Sequence, residues 1–161
     1  MKKTIILIFL SWLSFNLKAQ SHLVLSEIAM QPSAAEFIEI YNPTNSTISL
    51  DNYYLSDHSN YYALPSNTYT IDAGDFVVKF PAGATIQAGK TLVIGFSGND
   101  FNTTYSLNPD FEIISQNAVI TDMLSIKTSG IPSITNAGES VILFYWDGAS
   151  DLVQDIDLLN V

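Results

Sequence analysis

The 161-residue chain contains no cysteine and no arginine, and only two histidines, His22 and His58. Without cysteine there is no disulfide, no thiolate nucleophile and no thiolate metal site, and the lipid-attachment cysteine of bacterial lipoproteins is missing as well. The fold must then rest on an apolar core, for which 47% hydrophobic residues supply the material. Without arginine there is no guanidinium fork to clamp phosphate. Sixteen acidic residues against six lysines would also be repelled by nucleic acid and by anionic lipid, so no direct nucleic-acid binding is expected. Two histidines cannot build a histidine-rich metal centre, and helical periodicity appears nowhere over a convincing length.

The first nineteen residues follow the pattern of a secretory leader. Lys2 and Lys3 form a basic start, Ile5 to Phe15 an apolar run, and Leu17-Lys18-Ala19 leads to a small residue, with cleavage expected after Ala19 or Gln20. The apolar run is shorter than the ~20 residues that span a bilayer, so no membrane insertion is expected after cleavage. The expected destination is extracellular or the cell surface, with the periplasm left open. Cleavage removes Lys2, Lys3 and Lys18 and leaves Lys79, Lys90 and Lys127 against sixteen acids, a formal charge of −13. Such acidity favours solubility and opposes self-association.

Residues 20–161 read as one domain of all-β class. Apolar segments are short, rich in Ile, Val, Leu, Phe and Tyr, and bounded by Gly, Pro, Asn, Asp or Ser. Strands are predicted at Leu23 to Ala29, Glu36 to Tyr41, Ile48 to Leu55 with a bend, Tyr61 to Leu64, Asp75 to Phe80, Thr91 to Phe96, Leu124 to Lys127, Val141 to Trp146 and Val153 to Leu159. Phe76, Val78 and Phe80 alternate onto one face. The polar stretch 97–122, with apolar islands at Phe111 to Ile114 and Ala118 to Ile120, reads as a long loop or insertion.

Five pieces in series carry a family resemblance: Leu25-Ser26-Glu27-Ile28; Glu36-Phe37-Ile38-Glu39-Ile40-Tyr41-Asn42; Leu50-Asp51-Asn52-Tyr53-Tyr54-Leu55-Ser56-Asp57; Ile86-Gln87-Ala88-Gly89-Lys90-Thr91-Leu92-Val93-Ile94; and Gly138-Glu139-Ser140-Val141-Ile142-Leu143. In order and spacing they resemble the lamin-tail domain of secreted bacterial type, over roughly Leu23 to Leu159. The resemblance implies an immunoglobulin-like β-sandwich used as an accessory module for attachment rather than catalysis. Glu27, Glu36, Glu39, Asn42, Asn52, Tyr53, Gly89, Gly138 and Glu139 would then be structural motif residues. Where the family usually has Gly-Trp, this chain has Asn52-Tyr53. Asn tolerates a positive φ and Tyr keeps an aromatic ring, so the substitution fits a left-handed turn position.

No catalytic constellation stands out, and neither a catalytic residue, a metal ligand nor a cofactor is assigned. Asp57-His58-Ser59 holds the residue types of a hydrolase triad, yet neighbours in sequence do not converge on one reacting atom, and the cluster reads as a loop. Glu36 and Glu39, three apart, fall on opposite faces of a strand, and the inward one must accept hydrogen bonds. The acids from Asp147 to Asp157 lack the ordered ligand spacing of an EF-hand, and Asp147-Gly148 reads as a hairpin turn. Tyr54, Tyr61 and Tyr62 are the candidate interaction surface, because polar-tipped rings suit protein and carbohydrate contacts. The expected function is a secreted, non-catalytic binding or adhesion module for a protein or glycan at the cell surface. The alternative is an accessory domain of a larger extracellular enzyme such as a nuclease or phosphatase.

Overall fold

The computed structural model describes residues 20–134 and 138–160; the leader segment lies outside them. Two β-sheets pack face to face, each built from five strands. In the first, β1 (Val24–Ala29) and β2 (Phe37–Tyr41) run antiparallel, and β2 pairs in turn with β7 (Thr91–Ser97). In β2, Ile38 and Ile40 point inward and are fully buried, while Phe37, Glu39 and Tyr41 face the other way. Glu36, just ahead of the strand, has the parity of Ile38 and is buried with it.

The second sheet is antiparallel throughout, in the order β10-β5-β4-β11-β12. Its strands are β4 (Tyr53–Ser56), β5 (Phe76–Lys79), β10 (Leu124–Thr128), β11 (Ser140–Tyr145) and β12 (Gln154–Asn160). A small ribbon of β3 (Ile48–Ser49) and β6 (Thr85–Ile86) closes one end. Phe76, Val78, Phe80, Leu55, Val141 and Leu143 face the first sheet and form the main core with Ile38, Ile40 and Ile94. Each such side chain contributes about 1.5–3 kcal/mol by leaving water.

The outer face of the second sheet is covered too. Tyr54, Val77, Ile142 and Phe144 form a second cluster with Leu64, beneath Tyr61, Tyr69 and Trp146. Here the structure departs from the sequence reading: Tyr61 to Leu64 is no strand but a 3-10 turn, Tyr61–Ala63. Tyr61 and Leu64 are three apart, and a turn of that period lays both on the sheet, where a strand would split them between faces.

The stretch 97–122 is also no loop. It contains a helix, α1 (Gly98–Tyr105), and the strands β8 (Phe111–Ile114) and β9 (Thr121–Asp122), both parallel to their neighbours in the first sheet. Parallel pairing of β7 with β8 requires a crossover, and α1 supplies it. Ser97 caps the helix by accepting the Asp100 N–H at 3.3 Å, and Phe101 and Tyr105 both meet the Phe37 ring edge-on. The composition is polar because one face of this short helix is in water.

The sheets are joined at both sides. Chain passes from β9 into β10 through Met123, whose N–H bonds the Glu112 carbonyl at 2.7 Å. On the opposite side, Asp157 of β12 accepts the Leu25 N–H at 2.8 Å, beside the register shift in β1 between Leu25 and Glu27. Among the described residues, no helix is long and apolar enough to cross a membrane.

Candidate functional site

Of the acids and amides singled out from the sequence, Glu36 and Asn42 are held by backbone. Glu36 is buried, and its Oε2 accepts the Ile134 N–H at 3.0 Å; burial raises its pKa against the pull of that bond. Glu39 lies on the outer face and accepts the Ser26 hydroxyl at 2.6 Å, with exposed Glu27 opposite it in register. Asn42 is fully buried and donates to the carbonyls of Ser46 and Ile86, while its Oδ1 accepts from Thr44. It pins the turn after β2 to β6.

Three expectations need correction. Asn52 does not adopt a positive φ; the left-handed non-glycine residues among those described are Asn67 and Ser106. Asn52 instead accepts the Trp146 N–H at its carbonyl, 3.0 Å away, and Tyr53 packs edge-on against Tyr145. Gly89 and Gly138 do occupy the left-handed region, at φ of 67° and 79°. Tyr54 is no surface residue: it is 3% exposed and stacks on Phe144 with centroids 5.1 Å apart. Strand alternation in β4 turns it onto the covered outer face. Tyr61 is half-buried and donates to Asp155 at 2.9 Å; burial and this acceptor push its pKa to about 12. Tyr62, at 59% exposed, is the most accessible ring of the three.

The groups that converge lie where the chain leaves β4. His58 is buried, and its Nδ1 lies 2.7 Å from Oδ2 of Asp75, the residue that leads into β5. The imidazole stacks under Tyr69, with centroids 5.3 Å apart, and Lys127 sits 4.0 Å above the Tyr69 ring while donating to the Tyr69 carbonyl. Asp57 accepts the Phe76 N–H through Oδ1 at 2.8 Å, and its Oδ2 is buried without a hydrogen-bond partner. Burial, with Asp75 and Glu139 nearby, pushes the Asp57 carboxyl up to about 8, against the opposing pull of the Phe76 amide.

Asp57, Asp75 and Glu139 bring one carboxylate oxygen each within 4.8 Å of the others, and His58, Asp72 and Asp75 do the same with their ligand atoms. A pocket of about 290 Å³ opens beside them, lined by Asp57, Ser59, Tyr61, Gly138, Glu139, Ser140, Ile142 and Leu158. The acidic C-terminal loop is different in kind. Asp147 accepts the N–H groups of Ser150 and Ala149, which hold its pKa low, and the loop bonds itself as a turn.

A sandwich of this topology, opened by the Glu27–Glu39 strand pair, is the context for the comparisons with known proteins. The sequence profile of the Lamin Tail Domain matches residues 16–154. The chain belongs to the lamin-tail domain family. Among solved structures, a crystal structure of a DUF4876 family protein from Bacteroides thetaiotaomicron superposes with a TM-score of 0.60 at 18% identity. The match covers 89% of this chain and 54% of that one, and at this identity it shows the fold alone. No curated protein sequence matches.

Within this lamin-tail sandwich, the pairing of His58 with Asp75 had no sequence signal, because 17 residues and a turn of chain separate them. Glu112 was missed as well. It is fully buried in β8 and accepts three backbone N–H groups, from Gly98, Gln116 and Asn117. Its place in an alternating apolar run, Phe111-Glu112-Ile113-Ile114, was the legible hint that its side chain points into structure.

Proposed function

We propose that this lamin-tail protein is a secreted, non-catalytic binding module acting on a protein or glycan at the cell surface. One observation carries the non-catalytic part. His58 and Asp75 form two members of a Ser-His-Asp arrangement, whose third member would sit on Nε2. His58 Nε2 is buried with no hydrogen-bond partner, so the adjacent Ser59 hydroxyl does not complete a triad. The ring is 2% exposed and shielded by Tyr69, which leaves no room for a substrate. The leader sequence supports export, and the exposed Tyr62 ring, packed edge-on against the Tyr61 that lines the pocket, supports binding. The test is a pull-down from cell surface and culture fluid, with a glycan array alongside, comparing the native protein with a Tyr61→Ser/Tyr62→Ser variant. Selective capture that the variant loses is the expected result. Identical capture by both proteins, or hydrolase activity that survives His58→Ala, overturns the reading.

A second reading is an accessory domain beside an extracellular enzyme such as a nuclease or phosphatase. It draws on the DUF4876 neighbour, in which this fold accounts for 54% of the chain.

A further inference from the structure

The sandwich is reached from the leader through three exposed residues, Gln20, Ser21 and His22. Among the described residues, Leu23 is the first whose side chain enters the core, where it is fully buried, and the Leu25 N–H two residues on is held by Asp157 at 2.8 Å. The two cleavage points expected for the leader are not equivalent. A cut after Ala19 puts a small side chain before the broken bond, whereas a cut after Gln20 puts a long amide there. The first fits the leader pattern, and it leaves Gln20 with a free α-amine. We propose that this terminus is a modification site, at which Gln20 closes on itself to a five-membered lactam, pyroglutamate; the assignment rests on the export reading above.

The step balances without an oxidant or a cofactor. The α-amine nitrogen attacks Cδ of its own side chain, the N–Cδ bond forms, the Cδ–Nε2 bond breaks, and one amine proton leaves with Nε2 as ammonia. An α-amine has an ordinary pKa of about 7.7–8.0, so a share of it is neutral and nucleophilic near neutral pH. The leaving nitrogen must gain a proton, and Gln20 Nε2 lies 3.3 Å from Nε2 of His22. Imidazole is the side chain suited to passing a proton near neutral pH, so His22 is placed to act as general acid.

Position in the chain makes the reaction possible at this residue. Ser21 at the terminus, after the other cut, has no side-chain amide to close, and a glutamine inside the chain has no free amine. The exposed stub leaves the Gln20 side chain free to bring Cδ to the amine and leaves room for an enzyme that speeds closure. The product has lost the cationic amine that aminopeptidases grip. Frayed termini are where trimming concentrates, and this one has no disulfide to tie it down. Trimming past His22 would strip Leu23 from the core, and the lactam stops it at the first residue.

The experiment expresses the full chain with its leader in an exporting bacterium and weighs the N-terminal peptide of the recovered protein by mass spectrometry. The expected peptide begins at Gln20 and is lighter than its sequence by one ammonia, about 17 Da. At a matched time after export, His22→Ala should carry a larger uncyclised fraction; an equal fraction removes His22 from the step. Under aminopeptidase the native protein should stay whole, while Gln20→Ser, which cannot cyclise, should lose residues of the stub. Both substitutions change exposed side chains, so neither threatens the fold. A terminus at Gln20 of unchanged mass, a terminus at Ser21, or equal trimming of native and Gln20→Ser protein overturns the proposal and leaves export standing. A leader still attached overturns the proposal and the export reading together.

Discussion

Glu112, inside β8, and Asp57, just past the end of β4, both have a carboxylate oxygen taken by backbone, yet they end in opposite conditions. Glu112 is fully buried and receives three N–H groups, from Gly98, Gln116 and Asn117. It ties the start of α1 to the loop after β8, and both oxygens are bonded. Asp57 receives one N–H, from Phe76, and keeps a buried oxygen unbonded beside two further acids. One backbone bond therefore does not settle whether a carboxylate is satisfied. The number of donors facing each oxygen does, because an unmet buried acceptor costs about 1–3 kcal/mol.

The comparison is tested most severely at Glu112. Glu112→Ala leaves three amides without their acceptor and opens a gap under α1. It should cost about 3–5 kcal/mol, read as a fall in the urea midpoint with unchanged slope. A loss below about 1 kcal/mol would show that water satisfies these amides as well as the carboxylate does.

Gly98 comes next. A Cβ there would lie 2.4 Å from Ile120 Cδ1 and 2.7 Å from Glu112 Oε2, so Gly98→Ala must push the carboxylate off its amides. A cost of about 2–3 kcal/mol by thermal or urea unfolding is expected, as for an overpacked core.

At Asp57 the expected effect has the opposite sign. Its folded pKa of about 8 is raised above the ordinary carboxylate value of 3.8, by burial first and by Asp75 and Glu139 after it. A group raised in this way contributes its full stability below 3.8 and loses it as pH climbs through 8. Native protein should thus lose stability between those limits. Asp57→Asn, which does not ionise, should flatten that part of the profile and be more stable than native by about 1–2 kcal/mol near the upper end. A variant less stable than native at every pH would show that Asp57, like Glu112, is satisfied in solution.

The smallest effect belongs to the outer rim. Tyr62→Ser removes an exposed ring and should change stability by no more than about 0.5 kcal/mol while weakening partner capture. A large fall in melting temperature would move Tyr62 from the binding surface into the structural class.

Strand positions were legible because alternation is local. Ile38 and Ile40 against Glu39, or Phe76, Val78 and Phe80 against Val77, declare a face from spacing alone. The same rule hid α1, since Phe101 and Tyr105 are a single pair four apart in a polar stretch, too short a signal to separate from a loop. It also misassigned Tyr61 to Leu64, a short apolar run before Pro65 that reads as a strand and folds as a 3-10 turn. Tyr54 shows a further limit. Alternation sends it to the outer face of its sheet, but whether that face meets water depends on a turn that folds back over it.

Composition, short motifs and local periodicity were enough for the β class, the lamin-tail membership and the absence of thiol and guanidinium chemistry, because they need no knowledge of what packs on what. Which donors each acid meets was set by how the sheets pack. Glu112 meets amides up to fourteen residues away, Glu36 one that is ninety-eight away, and Asp57 shares a pocket with Glu139 across most of the chain. A carboxylate's chemistry is set by the donors and charges within a few ångströms of its oxygens, and those neighbours are chosen by how the sheets close on each other.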